Sequence, residues 1–160
     1  MALFLSTVTN RIDRKGRVSI PAPYRSALTT PDFAGVVVFP NFSQPCLRGM
    51  AYQSLLEIAE SLEAQHELFS PEYDAIATSI FAESRTLEWD AEGRIVLPAD
   101  LIEHAGLNEE ACFVGKVSWF EIWDPVAYAP RRAEAREHAK SKPLSIKVGG
   151  AKNLRAGGGS

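Results

Sequence analysis

The sequence predicts an α+β protein built from one unit used twice, and three observations predict it. Arg11-Ile12-Asp13-Arg14-Lys15-Gly16-Arg17-Val18-Ser19-Ile20-Pro21-Ala22 returns, at an offset of 77 residues, as Glu88-Trp89-Asp90-Ala91-Glu92-Gly93-Arg94-Ile95-Val96-Leu97-Pro98-Ala99. Five positions are identical: Asp13/Asp90, Gly16/Gly93, Arg17/Arg94, Pro21/Pro98 and Ala22/Ala99. Each copy is then followed by two β-prone runs and a helix. Finally, 160 residues at 46% hydrophobic and 23% charged suit a soluble globular protein of one typical domain or two very small ones.

Each element has a local reason. Asp opens a turn through its side-chain oxygen, and glycine accepts the positive φ at which the chain closes. Arg17-Val18-Ser19-Ile20 alternates polar and apolar, the period of a half-buried strand. Pro21 ends it and can start a helix. In the second copy that helix is expected from about Ala99 to Ala105, closed by Gly106. Val36-Val37-Val38-Phe39 reads as a buried strand, and Cys46-Leu47 starts a short one. Their counterparts are Cys112-Phe113-Val114-Gly115-Lys116 and Phe120-Glu121-Ile122-Trp123.

A helix from about Ala51 to Gln65 carries the stripe Leu55, Ile58, Ala59, Leu62. A second, capped by Ser70, runs to about Ser79 on the stripe Tyr73, Ile76, Ala77, Ile80. A third follows Asp124-Pro125 and reaches about His138. From Lys140 the pattern fails, and Lys142-Pro143, Gly149-Gly150 and Gly157-Gly158-Gly159-Ser160 read as a flexible basic tail. The expected plan is therefore a first unit at 7–54, connecting helices at 55–82, a second unit at 83–126, a C-terminal helix at 127–139 and the tail at 140–160.

The net charge of −3 is unevenly spread. Residues 11–25 hold five basic side chains (Arg11, Arg14, Lys15, Arg17, Arg25) and one acid, Asp13. Residues 131–160 hold eight basic and two acidic, while residues 26–130 hold four basic and seventeen acidic. An acidic body with a basic turn and a basic tail points to a polyanion partner. No apolar run approaches the ~20 residues of a membrane span. The segment Met1 to Asn10 has no basic start and too short an apolar stretch for a signal peptide. Two cysteines, Cys46 and Cys112, are too few for a disulfide framework, so a reducing cytoplasm is expected.

With both copies of the turn, the intervening helices, Gly106-Leu107 and the run Phe113-Val114-Gly115 to Phe120-Glu121-Ile122-Trp123, residues 1–139 resemble the MraZ family of bacterial transcriptional regulators. The resemblance implies duplicated SpoVT-AbrB units in a swapped-hairpin β-barrel arrangement, pseudo-twofold related, with flanking helices. It also implies a ring-shaped homo-oligomer binding repeated short promoter boxes in double-stranded DNA. That would make the protein a nucleoid-associated repressor of the division and cell-wall gene cluster that includes its own gene. Two departures from the family pattern are Ser6, where many relatives have glycine, and Arg48-Gly49-Met50, where they are more apolar.

The expected DNA-binding residues are Arg11, Arg14, Lys15 and Arg17. Arg17, beside the glycine, is the candidate base reader, because guanidinium groups bind guanine O6 and N7 bidentately, and the others suit phosphates. Asp13, Gly16, Asp90, Gly93 and Arg94 are expected to hold turn structure. Ala91 and Glu92 replace Arg14 and Lys15 in the second copy, and Asp90–Arg94 reads there as a structural ion pair. The plain alternative for the basic turn is a solvated loop, and for the protein an oligomeric or protein-interaction module without DNA binding. No catalytic constellation, cofactor loop or metal spacing is found among His66, His104, His138, Cys46 and Cys112, so neither an enzyme nor a metal protein is expected. Trp89, Trp119 and Trp123 lie in apolar strands and are expected to pack, and so are the cysteines. Leu3, Phe4 and Leu5 are expected to supply part of a subunit contact.

Overall fold

In a computed structural model, which describes residues 3–142, 144–149 and 152–156, both copies of the Asp-x-x-Gly segment form the same tight turn. β1 (Thr7–Arg11) leads through the first turn into β2 (Arg17–Ser19), and Pro21 then opens α1 (Ala22–Leu28). β3 (Gly35–Asn41) and β4 (Cys46–Met50) follow as a hairpin. Next come α2 (Tyr52–Gln65) and α3 (Pro71–Ile76), the latter capped by Ser70, whose Oγ accepts from the Tyr73 N–H at 3.2 Å. The helix expected to reach Ser79 widens instead into one turn over Ala77–Phe81, where the Ala82 N–H reaches back five residues to the Ala77 carbonyl.

The second copy repeats the order. β5 (Arg85–Glu88), the second turn, β6 (Arg94–Val96), α4 (Ala99–His104), β7 (Glu110–Gly115) and β8 (Phe120–Trp123) are followed by α5 (Pro125–Ser141). After α4 the Leu107 N–H bonds the Ile102 carbonyl and the Gly106 N–H that of Glu103, the paired closure expected of that glycine. Lys140 and Ser141 belong to α5, and the tail beyond carries a hairpin of β9 (Leu144–Val148) and β10 (Lys152–Ala156). The expectation there was a flexible basic tail, and the described residues add this hairpin to it. Leu144-Ser145-Ile146-Lys147-Val148 alternates like a strand, a signal masked by the prolines and glycines around it. The expectation for Gly157 to Ser160 lies outside the described residues.

The chain divides into two units, Met1–Pro125 and Val126–Ser160. In the first, six antiparallel strands run in the order β1-β7-β8-β4-β3-β5. The first strand of each copy therefore pairs with the hairpin of the other: Val8 faces Phe113, and Leu87 faces Val36. β2 pairs with β6 about Val18 and Ile95, with Arg17 opposite Val96 and Ser19 opposite Arg94. Exchanging β2 for β6 at the 77-residue offset leaves this pairing unchanged, since Arg17–Val96 maps onto Arg94–Ser19.

One sheet face, with α1 and α4, encloses Val18, Ile20, Tyr24, Val36, Leu47, Ile95, Leu97, Leu101, Phe113, Phe120 and Ile122. On the other face Val37, Phe39 and Met50 pack against Leu55 and Ile58 of α2, with Ile80 and Trp119. Trp123 is buried and Trp89 packs on the first core. Both cysteines are buried thiols. Phe4 is only 2% exposed and packs on Tyr24 and Phe120, so it belongs to this subunit's own core, whereas Leu3 and Leu5 stand out at 46% and 63% exposure. Ser6 adopts φ +71°, which explains why a glycine suits this position. Its carbonyl accepts from the Tyr24 hydroxyl at 2.8 Å and the Gly115 N–H at 2.9 Å. Among the described residues no helix is long and apolar enough to cross a membrane.

Candidate nucleic-acid interface

Asp13 organises the first turn. One carboxylate oxygen accepts the backbone N–H groups of Lys15 and Arg17, each at 2.9 Å, and the other accepts Arg17 Nε at 2.6 Å. The Gly16 N–H closes on the Asp13 carbonyl at 3.0 Å with φ +80° at Gly16. These bonds, the Arg17 N–H first, hold the Asp13 carboxyl below its ordinary pKa, although partial desolvation opposes them.

The second turn matches it closely. Asp90 accepts from the N–H groups of Glu92 at 2.9 Å and Arg94 at 3.0 Å, and from Arg94 Nε at 3.0 Å, with φ +77° at Gly93. Its carboxyl is held down in the same way, chiefly by the Arg94 N–H. The two turns are stitched together, since the Leu97 N–H donates to the Gly16 carbonyl and the Ile20 N–H to that of Gly93.

The charged groups differ between the copies. Arg11, Arg14 and Lys15 are exposed and have no side-chain partner among the described residues. Arg17 is held through Nε alone, which leaves its terminal N–H groups available. Arg94 has a terminal nitrogen engaged by Asp90 at 3.0 Å and by Glu92 at 3.4 Å, and its pKa is raised by the Asp90 bond above all. Arg14 and Lys15 thus form a free cationic tip, whereas the tip of the second turn is Ala91 and Glu92.

Two placements escape a reading of each turn by itself. Because Ser19 sits opposite Arg94, Arg94 reaches the first turn's side. There it joins Arg11, Arg14 and Arg17 around an open cleft of about 530 Å³, in which Asp13 and Glu109 are the acids. Arg25 is withdrawn from the basic set. Its guanidinium lies against Gly93 and donates to the Ile20 carbonyl. Its counterpart across the repeat, Ile102, stands 3.5 Å from where a Cβ at Gly16 would lie, so each copy's helix lies over the other copy's turn. The 77-residue offset links Arg25 to Ile102 in the sequence, but only the strand exchange shows what they cover.

The chain resembles known proteins over nearly its whole length. Residues 80–145 match the family described as "MraZ protein, putative antitoxin-like". A protein named "Transcriptional regulator MraZ" from Rickettsia bellii (strain OSU 85-389) is 38% identical over 148 residues, covering 92% of this chain and 98% of that one. Proteins of the same name from Rickettsia canadensis (strain McKiel) and Rickettsia rickettsii (strain Sheila Smith) are 38% and 39% identical over 147 residues, with the same coverage.

Proposed function

Since the chain belongs to the MraZ family, we propose that it is a sequence-specific, DNA-binding transcriptional regulator that reads DNA through its first turn. The observation that carries this reading is the contrast between two turns of equal geometry. One presents Arg14, Lys15 and the free end of Arg17, and the other an alanine and a glutamate, with its arginine tied to two carboxylates. Arg17 reads a base, while Arg11, Arg14 and Lys15 hold phosphates. Asp13 and Gly16 hold the reading turn, and Asp90, Gly93 and Arg94 hold its counterpart. Arg94 adds positive charge to the cleft from across the strand pair.

In this reading each half is a SpoVT-AbrB unit, and the strand exchange between the copies supports that assignment. The working form is a ring of identical subunits in the cytoplasm, bound at the nucleoid to repeated short boxes. It represses the division and cell-wall gene cluster that includes its own gene. One turn makes few phosphate contacts, so several turns on one rim supply affinity that a single subunit lacks, by about 10²–10⁴ in avidity. The exposed Leu3 and Leu5, and a groove of about 890 Å³ whose walls include Phe33 and the exposed Tyr52, support a contact between copies.

The test is a mobility-shift titration of DNA upstream of the protein's own gene with the wild type and with Lys15→Ala/Arg17→Ala. Specific affinity falls by about 10- to 100-fold and the salt slope by about one per lost phosphate contact, while elution on size exclusion is unchanged. Wild-type affinity in the double variant overturns the assignment.

A further inference from the structure

Outside the turn, the strongest uncommitted feature is the polar surface of α5. Arg132, Arg136 and Lys140 recur every four residues, so they share one helix face at a rise of about 6 Å per step. All three are exposed, and none has an ion-pair partner among the described residues. Of the acids of the helix, Glu134 pairs with Arg131 at 3.8 Å, and Glu137, three residues before Lys140, borders the stripe at that end with no ion pair among the described residues. Lys142 and Lys147, both exposed, continue the positive charge beyond the helix.

We infer that the Arg132–Arg136–Lys140 stripe is a second DNA contact, one that grips the phosphate backbone without reading sequence. The inference rests on the DNA-binding function proposed above. What selects DNA is the composition of the stripe. Around its cations the stripe offers the small side chains of Ala129, Ala133, Ala135 and Ala139, with Glu137 at its edge and the half-buried Tyr128 one turn before Arg132. A helix that docks in a protein groove needs large apolar anchors at this spacing, and a membrane-surface helix needs Leu, Phe or Trp opposite its cations. A phosphate backbone needs only regularly spaced positive charge. The stripe would keep the protein on DNA while the turns find their boxes.

Salt-dependent binding of the full chain tests this, with a random-sequence duplex and the chain's own upstream DNA as probes. In Arg132→Gln/Arg136→Gln/Lys140→Gln, the slope of log affinity against log salt becomes shallower by about 2–3 on both probes. Affinity for the random duplex falls roughly 10²-fold at about 0.1 M salt, and the preference for upstream DNA is kept. Arg131→Gln, which removes the cation already paired with Glu134, leaves the slope unchanged. Glutamine is a good helix former, and circular dichroism verifies that α5 persists. An unchanged slope in the triple variant overturns the inference, whether the stripe meets an acidic protein surface or only solvent. So does a loss confined to the upstream DNA, which would make the stripe a reader. The two readings fail separately. Selective wild-type binding with an unchanged triple-variant slope removes the stripe alone. Unselective, salt-sensitive wild-type binding that the triple variant loses removes the turn alone.

Discussion

Replacing Gly16 with alanine tests the geometry on which the candidate site depends. At φ +80° an L-residue carries a cost of about 1–2 kcal/mol. The smaller entropy of the unfolded alanine chain offsets about 0.4–1 kcal/mol of that. A Cβ at Gly16 would also stand 3.1 Å from the Leu97 carbonyl oxygen, which is backbone, and the Leu97 N–H bonds the Gly16 carbonyl at 2.9 Å. Neither side of that contact can swing away, so crowding keeps the net loss near 1–2 kcal/mol. For a chain of this size each kcal/mol moves Tm by about 2–4 °C, which puts the drop at about 2–8 °C.

Gly93→Ala sets the comparison. It has the same positive φ, but its Cβ meets the Arg25 guanidinium at 2.6 Å, the mobile end of a long side chain. Arg25 can move at the loss of its bond to the Ile20 carbonyl, so Gly93→Ala destabilises no more than Gly16→Ala does. Only Gly16→Ala tilts the tip that carries Arg14 and Lys15, so only it weakens upstream DNA. The assay is thermal melting at matched protein concentration, together with a DNA titration of both variants. A Gly16→Ala protein that melts and binds like the wild type would refute the turn geometry and the role assigned to it.

Ser6→Gly relieves the positive φ at a position pinned by two hydrogen bonds, and Tm rises by about 1–4 °C; an unchanged or lower Tm refutes the strain. Asp13 and Asp90, whose folded carboxyl pKa values lie below the ordinary 3.8, contribute stability that is complete above that value and lost as pH falls through the lowered ones. In Asp13→Asn/Asp90→Asn the urea midpoint is therefore lower at neutral pH and less sensitive to acid below about pH 4, and parallel pH profiles would contradict it. Burial pushes the Cys46 thiol up to about 12, so it resists thiol reagents at neutral pH until the chain unfolds, and rapid native labelling at Cys46 would contradict its placement.

The local features were legible because local chemistry decides them. Asp13, Gly16 and their counterparts announce a turn by residue type alone, Ser70 and Pro71 announce a helix start, and the alternation around Val18 announces a strand. What was hidden depends on partners distant in the chain. Nothing in Thr7–Arg11 says that its partner is Glu110–Gly115, and without that exchange Arg94 cannot be placed beside Arg17 nor Arg25 beneath Gly93. Leu3, Phe4 and Leu5 read alike as apolar residues of a subunit contact, and what sets Phe4 apart is its packing on Tyr24 and Phe120. The departure at Ser6 was visible, but its reason is a backbone angle.

The interleaved strand order also sets when the chain can fold. β1 and β7 lie about a hundred residues apart, and β3 pairs with β5 only after both helices between them have been made. Such distant pairings raise contact order and place folding in the slower, millisecond-to-second range. On the ribosome, at about 5–20 residues per second, β1 waits roughly 5–20 s for its partner. During that wait Val8 has no strand beside it, and the first half alone cannot complete its sheet. A nascent chain stalled before β7 should therefore be held by chaperones or degraded. A library of truncations would show protease resistance arriving in one late step, once β7 and β8 are present, and not in two steps of one half each.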